Sequence, residues 1–145
     1  MVRWYLDNDK SCKGVVECTA LVLSESCSEF DGRITLFGVL DELRPSVDDE
    51  EFSFVVYAKF EGCEHVTEGE RRARILVTDE DGEVLEESAE YSLWLSGEEG
   101  PATIVAAFDL RKDFEHEERL LWIEAELDEE TLAQTAIPLR ERYNV

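Results

Sequence analysis

The sequence predicts an all-β chain: a single antiparallel immunoglobulin-like β-sandwich of about seven to nine strands, with little or no helix. Three observations carry that expectation. Apolar and polar residues alternate at period two through most of the chain, the pattern of strands that bury one face. Turn signals interrupt these runs every ~10 residues. No window of a dozen residues shows the 3.6-residue apolar stripe of an amphipathic helix.

Taken in order, "VVECTALVLS" and "RITLFGVLDEL" are β-rich runs of strand length, and Asp31-Gly32 between them suits a tight hairpin. "RPSVDDE" is a longer crossing, in which Pro45 cannot continue a ladder. "EFSFVVYAKF" sets Phe52, Phe54, Val56, Ala58 and Phe60 on one face, with Ser53, Val55, Tyr57 and Lys59 on the other. "ARILVT" repeats the pattern with Ala73, Ile75 and Val77, and "TDEDGEV" turns the chain at Asp81-Gly82. "SGEEGP" separates a strand ending near Leu95 from "ATIVAAFDL". "RLLWIEAEL" aligns Leu121, Ile123, Ala125 and Leu127, and "DEET" joins it to the last strand. The expected core is Val16, Ala20, Val22, Leu36, Phe54, Val56, Ile75, Val77, Ile123 and Leu127. Residues 1–14 read as an N-terminal arm and 15–145 as the sandwich domain.

Fourteen basic residues against thirty-six acidic ones leave a net charge of −22. Nucleic-acid backbones and anionic membranes repel such a surface, because binding them relies on Lys and Arg displacing counterions. No run approaches the ~18 apolar residues of a membrane span. The N-terminus carries Asp7 and Asp9 where a signal peptide needs an apolar core. The expected location is therefore cytoplasmic, with Cys12, Cys18, Cys27 and Cys63 as thiols unless a metal holds them. The acidity fits a salt-adapted host, a basic protein partner, or a surface that imitates nucleic acid and inhibits a basic protein.

The segments "CTALVLSESCSEFDGRITLFGVLDEL", "FVVYAKFEG", "ILVTDEDGEVL" and "LAQTAIPLRE" resemble an uncharacterised bacterial β-sandwich family, a domain of unknown function. Cys18, Gly32, Leu36, Gly38 and Asp41 stand at that family's structural positions, and the resemblance spans residues 15–140. It implies an immunoglobulin-like sandwich and brings no activity, cofactor or catalytic residue.

Candidate sites are few. A first strand over about residues 15–26 places Cys12 and Cys27 beyond opposite ends, tens of ångströms apart, which excludes a four-cysteine zinc site. With an antiparallel return from about residue 51, Cys63 and His65 are expected at the Cys27 end. Cys27, Cys63 and His65 are thus the candidate metal ligands, with zinc as the ion and Glu64 or Glu29 available as a fourth ligand. None of the usual zinc spacings is present. As a nucleophile, Cys63 has His65 as a nearby base, but Glu61, Glu64, Glu68 and Glu70 raise a thiol pKa rather than lower it. "DNDKSCKGVVEC" begins like a calcium loop and fails where the turn glycine is Cys12 and the bidentate glutamate is Cys18. Calcium remains an ion for clustered loop carboxylates such as "VDDEE". Arg72 and Arg74 lie on one strand face opposite Glu86, Glu87 and Glu90, which explains them as cross-strand ion pairs. Trp4 and Tyr5 on the arm are candidate interaction residues. Without a complete catalytic signature, the expected function is a non-enzymatic binding or scaffolding module. Its expected partners are another protein or a second copy of the chain, not nucleic acid or membrane.

The charge generates one prediction. If self-repulsion is the main electrostatic cost, the melting temperature rises as KCl is added, because screening shortens the range of repulsion. A flat or falling response, followed by circular dichroism, contradicts it.

Overall fold

The computed structural model of the chain describes residues 15–44, 51–62, 66, 68–97, 100–111 and 119–140. The alternating runs form nine strands: β1 (Val16–Phe30), β2 (Arg33–Val39), β3 (Glu51–Gly62), β4 (Gly69–Thr78), β5 (Val84–Glu87), β6 (Tyr91–Leu95), β7 (Ala102–Arg111), β8 (Arg119–Leu127) and β9 (Glu130–Leu139). No helix occurs among the described residues. Every strand pair is antiparallel, and the strands build two sheets, β2-β1-β3-β7 and β5-β4-β8-β9, with β6 also pairing β4.

One face of each sheet is apolar, and the two faces pack on each other. From the first sheet come Phe54, Val56, Ala58 and Phe60 of β3 with Ile104, Ala106, Phe108 and Leu110 of β7; from the second come Ala73, Ile75 and Val77 of β4 with Leu121, Ile123, Ala125 and Leu127 of β8. Their strict alternation with polar neighbours is what the period-two pattern demands. The Phe54 and Phe108 rings stack at 5.5 Å across the β3–β7 pair. The Tyr91 hydroxyl donates to the Val105 carbonyl at 3.2 Å, tying β6 of one sheet to β7 of the other.

The opposite flank is closed by the chain after β2. Leu40 N–H donates to the Leu23 carbonyl, Leu43 N–H to the Pro138 carbonyl, and Arg140 N–H to the Leu43 carbonyl, each at 2.8 Å. Leu43 forms a parallel bridge with Leu139 and is buried. The segment thus passes from the β1 sheet to the β9 sheet and covers β9 there.

With β2 set aside, β1-β3-β7 and β5-β4-β8-β9 reproduce the A-B-E and C′-C-F-G pairings of an immunoglobulin sandwich. The hairpin made by the second half of β1 with β2 is an addition to that plan. Its turn, Asp31-Gly32, has φ of 54° and 74°, the positive pair of a type I′ hairpin that Asp-Gly favours. The β8–β9 turn uses the same geometry at Asp128 and Glu129, with φ of 49° and 68°. Without a glycine, this turn is strained at Glu129 by about 1–2 kcal/mol.

The core expectation is corrected on β1 and β2. A register shift between Cys18 and Ala20 bulges β1, and one extra residue moves all later side chains to the other face. The inward series is therefore Val16, Cys18, Leu21 and Leu23, while Ala20 and Val22 are only half-buried. Leu36 is also half-buried, because β2 lies beyond the sandwich. The bulge sets a test. Leu23→Ala should cost ~2–5 kcal/mol of unfolding free energy, as buried leucine deletions do. Val22→Ala should cost about 1 kcal/mol or less. Equal costs in urea denaturation would refute the assigned phase.

Candidate functional site

The β1–β2 hairpin leaves the sandwich as a two-stranded ribbon. β1 pairs with β3 from Val16 to Ser24, the last pair being Ser24 with Val55. Beyond Ser24, its only partner among the described residues is β2, through Ser26–Phe37, Cys27–Leu36, Ser28–Thr35, Glu29–Ile34 and Phe30–Arg33. β3 runs on to Glu51 paired with β7 alone. Residues 25–31 are all exposed, so the ribbon buries little on either face.

Cross-strand partners share a face, so the ribbon has two chemically distinct sides. One carries Phe30, Arg33, Thr35, Phe37 and Val39, of which Phe30, Phe37 and Val39 are exposed by 83%, 50% and 62%. These are half of the six large apolar side chains exposed among the described residues. The other carries Glu25, Cys27 and Glu29 with Ile34, Leu36 and Gly38. Gly38 sits at φ 68°, and a Cβ there would lie 2.8 Å from the Glu25 carboxyl carbon. The missing side chain lets Glu25 lie across β2. Where the ribbon joins the sandwich, a 250 Å³ groove opens between β1 and β9, lined by residues that include Val22, Val39, Leu40 and Ala136.

Of the predicted metal ligands, Cys27 lies among the described residues. Cys27 is a free, exposed cysteine inside β1, not past its end. Gly62, the chain neighbour of Cys63, pairs with Val16 at the other end of β1. At ~3.3 Å per residue, the Val16 and Cys27 ends are ~35 Å apart along the strand. The expectation set the strand returning from about residue 51 to end beside Cys27; β3 instead pairs antiparallel with β1 and so ends beside Val16, where β1 begins. Cys63 and His65 themselves lie outside the described residues, as do Cys12, Trp4 and Tyr5. No group of three or more His, Cys, Asp or Glu side chains is placed to hold a metal ion among the described residues. Cys18 is half-buried, and its thiol donates to the Ala20 carbonyl at 3.2 Å. Burial pushes that thiol's pKa up against two backbone hydrogen bonds that pull it down, which disfavours the reactive thiolate.

A second charged feature lies on the outer face of the β4 sheet, in a 410 Å³ groove lined by Arg72, Arg74, Glu90, Glu126, Asp128 and Glu129. Arg74 donates to Glu126, its direct partner on β8, at 2.9 Å and to Glu87 at 3.2 Å. Arg72 pairs with Glu90 at 2.6 Å. Asp128 accepts from the Arg71 side chain and, at 3.0 Å, from the Arg72 backbone N–H. The expected pairing of Arg72 and Arg74 with the β5 region is present, and Glu126 is the addition. Sequence spacing did not reveal Glu126 because only the β4–β8 register brings it opposite Arg74. Both groove arginines are engaged by carboxylates, and the lining carries more acid than base. The groove staples β5, β8 and the β8–β9 turn to β4.

No protein-family profile and no curated protein matches the chain. Among solved structures, it is similar to the Pseudomonas fluorescens alkylpurine DNA glycosylase AlkC bound to DNA containing an abasic site analog. That match has a TM-score of 0.52 at 12% identity and covers 86% of this chain and 30% of that one. A putative β-galactosidase from Bacteroides fragilis matches at a TM-score of 0.47 and 14% identity, over 67% of this chain and 15% of that one. The chain spans less than a third of the length of either structure. At such identities, the likeness to the glycosylase shows a shared sandwich fold.

Asp128 sets the pH dependence of the stapled turn. Burial raises its pKa, but the Arg71 hydrogen bond, the Arg72 N–H and both arginine charges outweigh that and hold it below the ordinary carboxylate value. A depressed folded pKa stabilises above the unfolded pKa and is lost as pH falls through the folded one. Asn keeps the turn backbone, which it tolerates well. Asp128→Asn should therefore be less stable than wild type near neutral pH by about 1 kcal/mol or less. The gap should close as pH drops below ~4. A gap unchanged between pH 7 and pH 3 would show that the carboxylate charge contributes nothing.

Proposed function

We propose that the protein is a binding module that docks another protein through the β1–β2 ribbon. The observation that carries this reading is the ribbon's exposure: Phe30, Phe37 and Val39 stand in water on a hairpin that is extra to the sandwich plan. Exposing large apolar side chains forfeits burial worth up to roughly 1.5–3 kcal/mol for each residue, and three of them on one face of a hairpin suit an interaction surface. A hairpin that contributes little to the core has a reason to exist only if it meets something else.

The charge narrows the partner. A chain carrying −22 repels phosphate, so the DNA contact of the glycosylase structure is not transferred to this chain. A nucleic-acid mimic would concentrate its carboxylates on one face. Here they stand on both sheets: Glu17, Glu25 and Glu29 on β1 and Asp109 on β7, against Glu86, Glu87, Glu124 and Glu126 on β5 and β8. Protein binding through the ribbon is therefore preferred to mimicry.

Site-specific photo-crosslinking tests this. A benzophenone side chain is placed at Phe37, and in separate variants at Val84 or Trp94, which are exposed and apolar but lie off the ribbon. In host cells, the Phe37 variant should give a discrete protein adduct that Phe30→Ser reduces severalfold. Equal labelling from all three positions, or none from Phe37, overturns the reading.

A further inference from the structure

We infer that the outer edge of β2 accepts, as an added strand, an extended segment of a basic partner protein in which cationic and apolar residues alternate. This rests on the ribbon being the docking surface and specifies how it docks and with what.

The edge comes first. β2 is the terminal strand of its sheet, so one side of its seven-residue backbone has no strand partner among the described residues. Phe30 and Arg33 flank a two-residue turn, and the pair next to such a turn exchanges both of its hydrogen bonds. By alternation, Arg33, Thr35 and Phe37 bond inward to β1, and Ile34 and Leu36 direct their N–H and C=O groups to the open edge, up to Gly38, whose φ of 68° interrupts the pattern. Natural edges are usually blunted by proline, lysine, bulges or inward-pointing charge. β2 (RITLFGV) contains no proline and no lysine, and Arg33 at its turn end is its only charge.

The two sides of the ribbon then read the incoming side chains. An added strand continues the sheet, so its successive residues fall alternately on the two faces. On one face they meet Arg33 and Thr35 near the turn and then Phe37 and Val39, which lead into the 250 Å³ groove beside Val22 and Leu40. On the other side they meet Glu25 and Glu29, with half-buried Ile34 and Leu36 between them. Lysine or arginine fits that side, its aliphatic stem along Ile34 and Leu36 and its charge at the carboxylates. The pattern on the partner is therefore apolar, cationic, apolar, cationic.

Charge also decides against a second copy as the occupant. Two molecules at −22 each repel, and a second ribbon would set Glu25 and Glu29 against like charge. A basic segment is instead drawn in by the whole surface before contact.

The test uses the full chain and three synthetic eight-residue peptides: alternating Lys and Val, alternating Glu and Val, and the Lys/Val sequence with every second amide N-methylated. Backbone hydrogen exchange is followed residue by residue. The Lys/Val peptide should slow exchange at Ile34 and Leu36 by at least tenfold, and the effect should weaken as salt is added. The Glu/Val and N-methylated peptides should leave these amides unchanged. Leu36→Pro, which removes an edge N–H without taking a bond from β1, should abolish protection; the N-methylated peptide makes the same point without altering the protein. Equal protection by the Glu/Val peptide, or protection by none, overturns the inference. If Phe37 still crosslinks a partner, the ribbon reading survives and only strand addition by a basic segment is lost. A crosslinked adduct of twice the chain mass likewise replaces the basic partner with a second copy. Failure of both experiments removes the docking surface altogether.

Discussion

The structure depends on the burial of one apolar face of β3, β4, β7 and β8 against its opposite number. Phe54, Phe60, Ile75, Leu121 and Ile123 are almost wholly enclosed, each contributing roughly 1.5–3 kcal/mol by leaving water. These strands are central in their sheets or directly beside a central strand. Everything else hangs on them. β5 and β6 share the free side of β4, β9 lies on β8, and β1 lies on β3. A residue in this layer has no alternative place to go, because a one-residue slip would bring its whole strand's apolar set into solvent.

Charge is arranged around that layer so that it costs little. Among the described residues, every acidic side chain but Glu126 is half-buried or exposed, where water screens it. The nearest approach to burial is Glu126, which Arg74 holds directly across the β4–β8 pair. The Glu126 carboxylate in turn raises the already high pKa of Arg74. The exposed pairs around it are screened by water and add little stability. Their role is geometric: they fix a strained, glycine-free turn at Asp128 and Glu129 against β4.

The ribbon obeys a different economy. It is held by hydrogen bonds between its own two strands, by a favourable Asp-Gly turn, and by the anchoring of Leu40 and Leu43 at its base. A two-stranded hairpin alone is marginally stable in water. It persists here because β1 continues into the sandwich and carries its register with it. In the proposed docking, that fixed base and open outer edge would leave little ordering to be done on binding.

The sequence by itself determined the class of structure and most of its elements. Alternation in "EFSFVVYAKF" and "RLLWIEAEL" is a local property, set by which side of a pleated strand each residue occupies. Asp31-Gly32 and Asp81-Gly82 are local too, because positive φ is a property of single residues. Phe54, Val56, Ile75, Val77, Ile123 and Leu127 were legible as core for that reason. Tertiary structure alone decided the bulge at Cys18 and Ala20, which turned Leu21 and Leu23 inward in place of Ala20 and Val22. It also decided that Cys27 stands mid-strand at the end away from Gly62, that Glu126 faces Arg74, and that β1 outruns β3 to leave a ribbon. Each of these is a matter of register between strands far apart in the chain. Register is chosen by the total burial of both partners, which no single stretch of sequence contains.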